Sequence, residues 1–508
     1  MKSLNIWQTA AVALAAMTLS AFSAFADEAA IRSVGDGVCR IDKIGKIDKE
    51  GVFVDYTLSP EAGSEIRCRI ELPSAERWTG ELWGIDSSSQ GGFIGNLTAY
   101  SSGGHAVATT DLGTYRYEKG DLRGKPWTDA VFKDYSWRAT HLMTVYAKRF
   151  IKAQYGKRER HSYFVGGSCG GRQGFCEAMR FPQDYDGILA YIPASMLIAA
   201  NAQVVNLYRQ THDETGKALF TTNQLACLAD APIAYMKDRD VKPYAGSVLS
   251  NPFFSEAEID GLLAFVARQD PSLSDPELQK RMKGIFMGAR DAKGRVICHG
   301  MLPGAYHGNP GGMSFRSKGL CAASVLRNGV RYSACPSWEE FEEKAVARGG
   351  EINASSLDLS AFAKRGGKLV VNCGWEDQTT PAPEIIAWYE YLAERNGGFG
   401  KTQSFCRLFP LPGLAHGGGK GRIATSGAAV KEVHRNALRQ WVEKGIAPET
   451  YPLAWPAKNL TLPIPPYPLQ CYLGDDGKWK TRRYPKGMVR RPDLRYYEMA
   501  PLDEEIKQ

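Results

Sequence analysis

Residues 162–174 read SYFVGGSCGGRQG and contain the pattern G-x-S-x-G, with Ser168 at its centre. A short apolar strand, 162–165, precedes the glycine-rich turn, and a helical pattern, 172–180, follows it. A sharp strand–turn–helix connection exposes the serine hydroxyl, and its glycines let strand and helix approach each other. The helix N-terminus also favours negative charge near Ser168. We therefore predict that Ser168 is a nucleophile; the alternative is a tight glycine turn with a solvated serine.

The patterns on either side of this turn predict an α/β fold. Strand and helix patterns alternate up to about residue 195, the chain is then helical and irregular to about 350, and the alternation resumes at 368. The expected strands are 68–72, 81–85, 105–110, 162–165, 187–192, 368–372 and 404–409, and the expected helices are 137–155, 172–180, 382–396 and 428–444. The proline-rich tail from Tyr451 is expected to be an extended wrap. We predict one catalytic domain in two pieces, 27–195 and 361–508, with a lid domain, 196–360, inserted between them.

A carboxylate follows the expected strand 368–372, in the segment Gly374-Trp375-Glu376-Asp377. The acid of a catalytic triad lies just past a strand end in such a sheet. We favour Asp377 over Glu376 because a loop follows Asp377 directly. The alternative is that Asp377 is a helix N-cap or a solvated loop residue.

A histidine follows the next expected strand, 404–409, on the glycine loop that begins at His416. The chain has eight histidines, and most of the others fall in expected helices or in the lid. The order Ser, Asp, His along the chain is that of a hydrolase triad with a G-x-S-x-G turn. We predict that His416 takes the proton of Ser168 and that Asp377 orients the imidazole.

The tetrahedral intermediate of acyl transfer needs N–H donors, each worth about 3–4 kcal/mol. The first expected donor is the amide of Cys169, one residue after the nucleophile. The second is expected from the early glycine loop, where Gly92 is our choice and Gly91 is nearly equivalent.

Composition and charge exclude several other classes of protein. Hydrophobic residues make up 44% and charged residues 23% of the 508 residues, which is ordinary for a globular protein. The net charge is 63 − 55 = +8, but the basic residues are scattered, with a local cluster at 478–483. A nucleic-acid binder needs a coherent basic face. We therefore expect no nucleic-acid partner and no cofactor, and a small molecule as the substrate.

The first 26 residues have the pattern of a secretory signal peptide. Lys2 is followed by an uncharged, alanine-rich stretch that ends in the small-x-small site Ala24-Phe25-Ala26. The alternative is an uncleaved anchor. A later uncharged run, 187–205, is interrupted by Pro193 and is interpreted as a strand, a turn and a helix. We expect a periplasmic or secreted protein with no membrane attachment after the signal is removed.

The chain has eleven cysteines, which permits disulfides in an exported protein. No C-x-x-C pair or Cys/His cluster with zinc spacing is present, so no metal site is predicted. An odd number leaves at least one thiol free. We expect Cys39 and Cys68 to form a disulfide.

Several of these segments together resemble the tannase and feruloyl esterase family. The resemblance covers 163–174, the following 178–188, the region around 138–142, the acid segment 366–377 and the histidine segment 407–416. It implies an α/β-hydrolase fold, a large lid, and hydrolysis of aromatic acid esters such as gallate, ferulate or mono(hydroxyethyl) terephthalate. It also implies the triad roles for Ser168, Asp377 and His416.

The sequence departs from that family at two features. Members typically carry a disulfide between the residue before the nucleophile and the residue after the histidine, and here these positions are Gly167 and Gly417. Many members also hold calcium on a lid loop, and residues 230–240 lack its pattern. We therefore expect neither feature. A catalytically weak binding protein for aromatic esters on the same fold is the alternative function, and an amidase shares the same triad.

Overall fold

The computed structural model describes residues 28–47, 51–238, 251–291, 293–305, 337–343, 347–416, 427–455, 460–474, 476–485, 487–489 and 499. The signal segment 1–26, Arg239, Asp240 and Gly417 lie outside the described residues. No helix within those ranges is long and apolar enough to cross a membrane.

The predicted α/β fold is confirmed by a sheet of nine strands. They are β1 (Cys39–Lys46), β2 (Val52–Leu58), β3 (Ile66–Leu72), β4 (Glu81–Ile85), β5 (Ala106–Thr110), β6 (His161–Gly167), β7 (Gly187–Tyr191), β10 (Lys368–Gly374) and β11 (Cys406–Leu411). Their order in the sheet is β1-β2-β3-β5-β4-β6-β7-β10-β11. Strands β1, β2, β3 and β5 pair antiparallel, and every pairing from β5 through β4 to β11 is parallel.

Helices cover both faces of the parallel part of the sheet, so its strands are almost continuously apolar. Alternate residues of one strand enter two different cores: Phe164 packs on one side of the sheet and Val165 on the other. Ile188 and Leu189 divide between the same two cores on β7. Because β6, β10 and β11 run parallel, their carboxyl ends lie along one edge of the sheet. The three predicted triad residues follow these strands at that edge.

The bounds of the helices in the described residues are close to those expected. One helix differs at its start: the helix expected at 137–155 begins in an irregular turn. Asp134–Arg138 forms a π-helical turn that continues into the helix Ala139–Tyr155. The helices are Thr98–Ser101, Tyr115–Glu118, Asp129–Lys133, Ala139–Tyr155, Cys169–Arg180, Leu197–Thr211, Thr222–Asp238, Glu256–Gln269, Pro276–Met287, Trp338–Phe341, Ala347–Ile352, Ser360–Lys364, Ala382–Arg395, Phe399–Thr402 and Gly427–Lys444, with a 3₁₀ turn at Pro271–Ser274.

The segment after Ser195 builds a core of its own. Leu207, Leu228, Leu262 and Met282 belong to a cluster of buried side chains drawn from residues 207 to 305. Besides its helices, this segment contains a short hairpin of β8 (Ala289–Arg290) and β9 (Val296–Cys298). The boundaries 196 and 360 of the expected lid stay a prediction.

The tail differs from the extended wrap expected from its prolines. It forms two antiparallel pairs, β12 (Tyr451–Trp455) with β13 (Leu460–Ile464), and β14 (Leu469–Leu473) with β15 (Trp479–Arg483). Proline is tolerated in such small sheets because every strand is an edge strand and can leave one N–H unused. The wrap prediction is wrong on this point.

The expected disulfide between Cys39 and Cys68 is absent, and both thiols are free and buried. Cys39 lies opposite Leu58 on β2, and Cys68 lies opposite Tyr56 on the same strand. An intervening strand separates the two cysteines by two inter-strand spacings of about 4.8 Å each. A disulfide needs Cα atoms no more than about 6.8 Å apart, so this pair cannot close.

Candidate active site

Ser168 sits on a strained turn between β6 and the helix Cys169–Arg180. Its backbone has φ 59° and ψ −122°, a left-handed conformation that is uncommon for a residue with a side chain. Main-chain hydrogen bonds hold it there: its N–H donates to the Tyr191 carbonyl at 3.0 Å, and its carbonyl accepts from Ala194 N at 2.9 Å. Strain enforced in this way is typical of a functional site.

Two glycines make this turn possible. A Cβ atom on Gly166 would lie 2.2 Å from the Gly170 carbonyl oxygen. A Cβ on Gly170 would lie 2.0 Å from Oδ2 of Asp86. Both distances are far below van der Waals contact, so the close approach of strand, helix and the preceding loop requires glycine at both positions.

The structure brings together the three residues predicted as a triad. His416 Nε2 lies 3.0 Å from Ser168 Oγ. On the other side of the ring, Nδ1 lies 2.9 Å from Oδ2 and 3.1 Å from Oδ1 of Asp377. Ser168 and His416 are 248 residues apart in the chain, so only the fold creates this contact. The arrangement has the geometry that proton transfer from serine to imidazole requires.

The carboxylate of Asp377 is fully buried and its acceptor positions are used by local donors. The amides of Thr379 and Thr380 donate to Oδ1 at 2.8 Å, and the Thr380 hydroxyl donates to Oδ2 at 2.6 Å. These bonds fix the plane of the carboxylate, and through it the orientation of the His416 ring. It is Asp377 that contacts His416, as the sequence favoured over Glu376.

The loop after Asp377 makes one contact with His416 that no pattern in the sequence indicated. The amide of His416 donates to Gln378 Oε1 at 3.2 Å, so the residue after the acid also holds the start of the histidine loop. A glutamine in a loop has no pattern that identifies such a role, and its partner is 38 residues away. The remainder of that loop, from Gly417, lies outside the described residues.

The two expected oxyanion donors differ in how they are placed. Cys169 is the first residue of its helix, where N–H groups have no partner within the helix. The Gly92 amide instead donates to the Asp111 carbonyl at 2.8 Å, and the Gly91 amide donates to the Ser88 carbonyl at 3.1 Å. Both glycine amides are engaged, so the prediction of Gly92 as second donor gains no support from this arrangement.

Two charged side chains flank the turn and were missed in the sequence. Asp86 Oδ2 accepts the Gly167 amide at 3.0 Å. Lys431 reaches the same glycine from the helix Gly427–Lys444, with its Nζ 5.2 Å from the ring centre of Tyr191. Burial raises the pKa of Asp86 above its ordinary value, while the Lys431 ammonium opposes the increase. Both side chains come from segments without a motif.

Among the described residues, one group has the composition of a metal site, away from the three triad residues. Donor atoms of His141, Glu177 and Asp184 lie within 4.8 Å of one another. His141 Nδ1 is already 2.7 Å from Asp184 Oδ2, and its ring stacks on Phe181 at 3.7 Å. Burial, followed by the neighbouring Asp184 carboxylate, raises the pKa of Glu177 well above its ordinary value. His141 and Asp184 are therefore paired with each other, while both carboxylate oxygens of Glu177 are buried without a hydrogen-bond partner among the described residues. Residues 230–238, in the region nearest to the calcium loop of the family, are part of the helix Thr222–Asp238.

Comparison with known proteins identifies the family of this chain. The family model of tannase and feruloyl esterase matches residues 54–253 and 330–481. The chain belongs to this family. A member from Xanthomonas campestris pv. campestris, named an uncharacterized esterase, is 29% identical over 468 residues, covering 80% of this chain and 79% of that protein. A probable feruloyl esterase B-2 from Aspergillus fumigatus is 26% identical over 396 residues, with 72% of each chain covered.

Solved structures share the fold of this family member. Feruloyl esterase B from Aspergillus oryzae superposes with a TM-score of 0.75 at 20% identity, covering 91% of this chain and all of that chain. Tannin acyl hydrolase from Aspergillus niger superposes with a TM-score of 0.70 at 16% identity, covering 93% and 96%. At these identities the likeness shows the fold. Membership of the family supports an ester-hydrolysing function for this chain.

Proposed function

We propose that this protein is a serine esterase that hydrolyses esters of aromatic carboxylic acids through an acyl-enzyme. The observation that carries the proposal is the continuous hydrogen-bonded chain from Ser168 Oγ through the His416 ring to the Asp377 carboxylate. A serine hydroxyl is a weak nucleophile until a base takes its proton, and this chain supplies the base and its orienting acid.

The reaction has two halves. In the first, Ser168 Oγ attacks the ester carbonyl, its proton passes to His416 Nε2, and the imidazolium returns that proton to the departing alcohol. In the second, His416 activates a water that attacks the acyl-enzyme, and Ser168 leaves with the proton. The Cys169 amide, at the helix N-terminus, donates to the oxyanion in both halves. Asp377 stays ionised and stabilises the imidazolium.

The aromatic substrate is proposed from the family and from the surroundings of the acid loop. Phe253, in the expected lid, packs edge-on against Trp375 at 5.3 Å, and Trp375 lies two residues before Asp377. His299 of the same segment lies 2.7 Å from the buried carboxylate of Glu384, on the helix after the acid loop.

We propose that residues 196–360 form a lid that supplies the acyl- and alcohol-binding surfaces. We also propose that the enzyme is periplasmic or secreted.

A panel of aryl esters tests this proposal directly. Purified protein is assayed with gallate, ferulate, terephthalate and benzoate esters, and a fluorophosphonate probe is used to label Ser168. We expect hydrolysis of at least one aryl ester and labelling that is lost in Ser168→Ala. Labelling without turnover of any ester would favour the binding-protein alternative, and turnover of the matching anilides at equal rates would favour an amidase.

A further inference from the structure

The loop that follows β4, residues 86–93 (here the β4 loop), is anchored by its carbonyl groups. Gln173 Nε2 donates to the Ser87 carbonyl at 2.8 Å, and the Thr114 hydroxyl donates to the Gln90 carbonyl at 2.6 Å. Between them, the Tyr135 hydroxyl donates to the Ser89 carbonyl at 3.0 Å. Ser89 has φ 56°, a conformation uncommon for a residue with a side chain, so neighbouring groups must hold it.

The Tyr135 hydroxyl has a second neighbour, the side chain of Cys169. Its oxygen lies 3.2 Å from the Cys169 sulfur. A phenol has a single proton, so the Ser89 carbonyl and the Cys169 sulfur are alternative acceptors of the same Tyr135 hydroxyl. One buried hydroxyl therefore joins the β4 loop to the residue directly after the nucleophile.

The ring of Tyr135 is itself tightly held. It belongs to the π-helical turn Asp134–Arg138 and is 4% exposed. The Arg172 guanidinium stacks 4.6 Å from the ring centre and also donates to the Tyr135 carbonyl at 2.8 Å. Trp127 packs edge-on at 4.9 Å. Because these contacts hold the ring on several sides, the Tyr135 hydroxyl has a fixed position relative to Ser89 and Cys169.

We propose that Tyr135 is a positioning residue that holds Cys169 against the β4 loop, and so fixes the position of the Cys169 amide that donates to the oxyanion. This inference rests on the proposed esterase function. Donors act on an oxyanion only at about 2.7–3.1 Å. A displacement of about 1 Å in a catalytic group can cost about 100-fold in rate, so the position of the Cys169 amide matters.

The test is Tyr135→Phe, which removes one oxygen and keeps the ring. Tyr56→Phe is the matched control, because Tyr56 is also buried and donates to a main-chain carbonyl, that of Met143, away from the triad. We expect kcat for Tyr135→Phe to fall by about tenfold with KM within twofold. We also expect an arylboronic acid, which forms a tetrahedral adduct with Ser168, to inhibit about tenfold more weakly, and Tyr56→Phe to match the wild type.

A kcat within twofold of the wild type, or unchanged boronate inhibition despite a lower kcat, would overturn the inference. If Tyr135→Phe does not fold, Cys169→Ala is the second variant, because it removes the other partner of the hydroxyl. It must also lower kcat by about tenfold while KM stays within twofold. Failure of the proposed function is distinguishable, because then the wild type itself neither hydrolyses aryl esters nor is labelled at Ser168.

Discussion

The nucleophile turn and the start of the histidine loop meet at the hydrogen bond between Ser168 and His416, yet they are constructed in different ways. The turn at Ser168 is held by main-chain hydrogen bonds and by glycines whose missing Cβ atoms allow close contact. The start of the histidine loop is held by side chains of the acid loop, those of Asp377 and Gln378. The first is therefore recognisable in its own short sequence, although main-chain groups of Tyr191 and Ala194 hold it in place. The second depends on side chains of a segment 38 residues earlier.

The largest effect is expected where the two regions touch. Ser168→Ala should reduce kcat for ester hydrolysis by at least about 10³-fold, and His416→Ala should be nearly as severe. The double variant should be little worse than either, because the residues act as a unit. Single-turnover and steady-state assays on protein with an unchanged circular dichroism spectrum measure this. Activity within tenfold of the wild type in Ser168→Ala would remove the triad assignment.

The second prediction breaks the nucleophile turn through its backbone. Gly166→Ala places a Cβ 2.2 Å from the Gly170 carbonyl oxygen, so strand and helix must separate. We expect a loss of about 1–3 kcal/mol in the free energy of unfolding, as for other overpacked sites, and at least a tenfold fall in kcat. Gly400→Ala is the control, since nothing lies within 4 Å of that added atom. Equal urea midpoints for the two variants would contradict the steric argument.

These two regions also show what the sequence could and could not predict. Ser168, Asp377 and His416 were predictable because each follows a recognisable strand in a known order. Strand β1 was missed because it lies at the edge of the sheet, where its sequence CRIDKIGK lacks an apolar run. Strand β2, between β1 and β3, was missed as well. Gln378, Tyr135 and Lys431 were missed for another reason: each makes its contact near the site with residues distant in sequence, and no local pattern records such contacts.

The third prediction loosens the histidine loop through its side-chain support. Gln378→Ala removes the acceptor of the His416 amide and should lower kcat by about three- to tenfold, because the imidazole is less well oriented. Gln378→Glu keeps an acceptor oxygen at that position and should recover most of the activity. Steady-state kinetics at one pH decides this. If the two variants are equally impaired, the hydrogen bond to the His416 amide is not what positions the base.

The smallest effect on activity is expected at His434, on the helix that follows the histidine loop. Burial lowers the pKa of His434 from 6.5 to about 3. Its Nδ1 accepts from Asn372 Nδ2 at 2.8 Å, and its ring stacks on Tyr451 at 3.9 Å, so the fold holds the neutral imidazole. The unfolded chain binds a proton below about pH 6.5 and the folded chain does not. Stability from this group is therefore present above pH 6.5 and is lost as the pH falls toward 3.

His434→Gln should remove this acid sensitivity while keeping an acceptor oxygen for Asn372. From pH 7 to pH 4.5, we expect the wild type to lose about 2–3 kcal/mol more of its free energy of unfolding than the variant, since each pKa unit corresponds to about 1.4 kcal/mol. Ester hydrolysis at pH 7 should stay within twofold, because His434 does not contact the triad. His161→Gln, at a partly exposed position, serves as the control and should keep the pH dependence of the wild type. Parallel curves of the free energy of unfolding against pH for wild type and His434→Gln would contradict this prediction. They would mean that the buried imidazole is protonated in the folded protein. The helix after the histidine loop would then carry a charge that this structure does not accommodate.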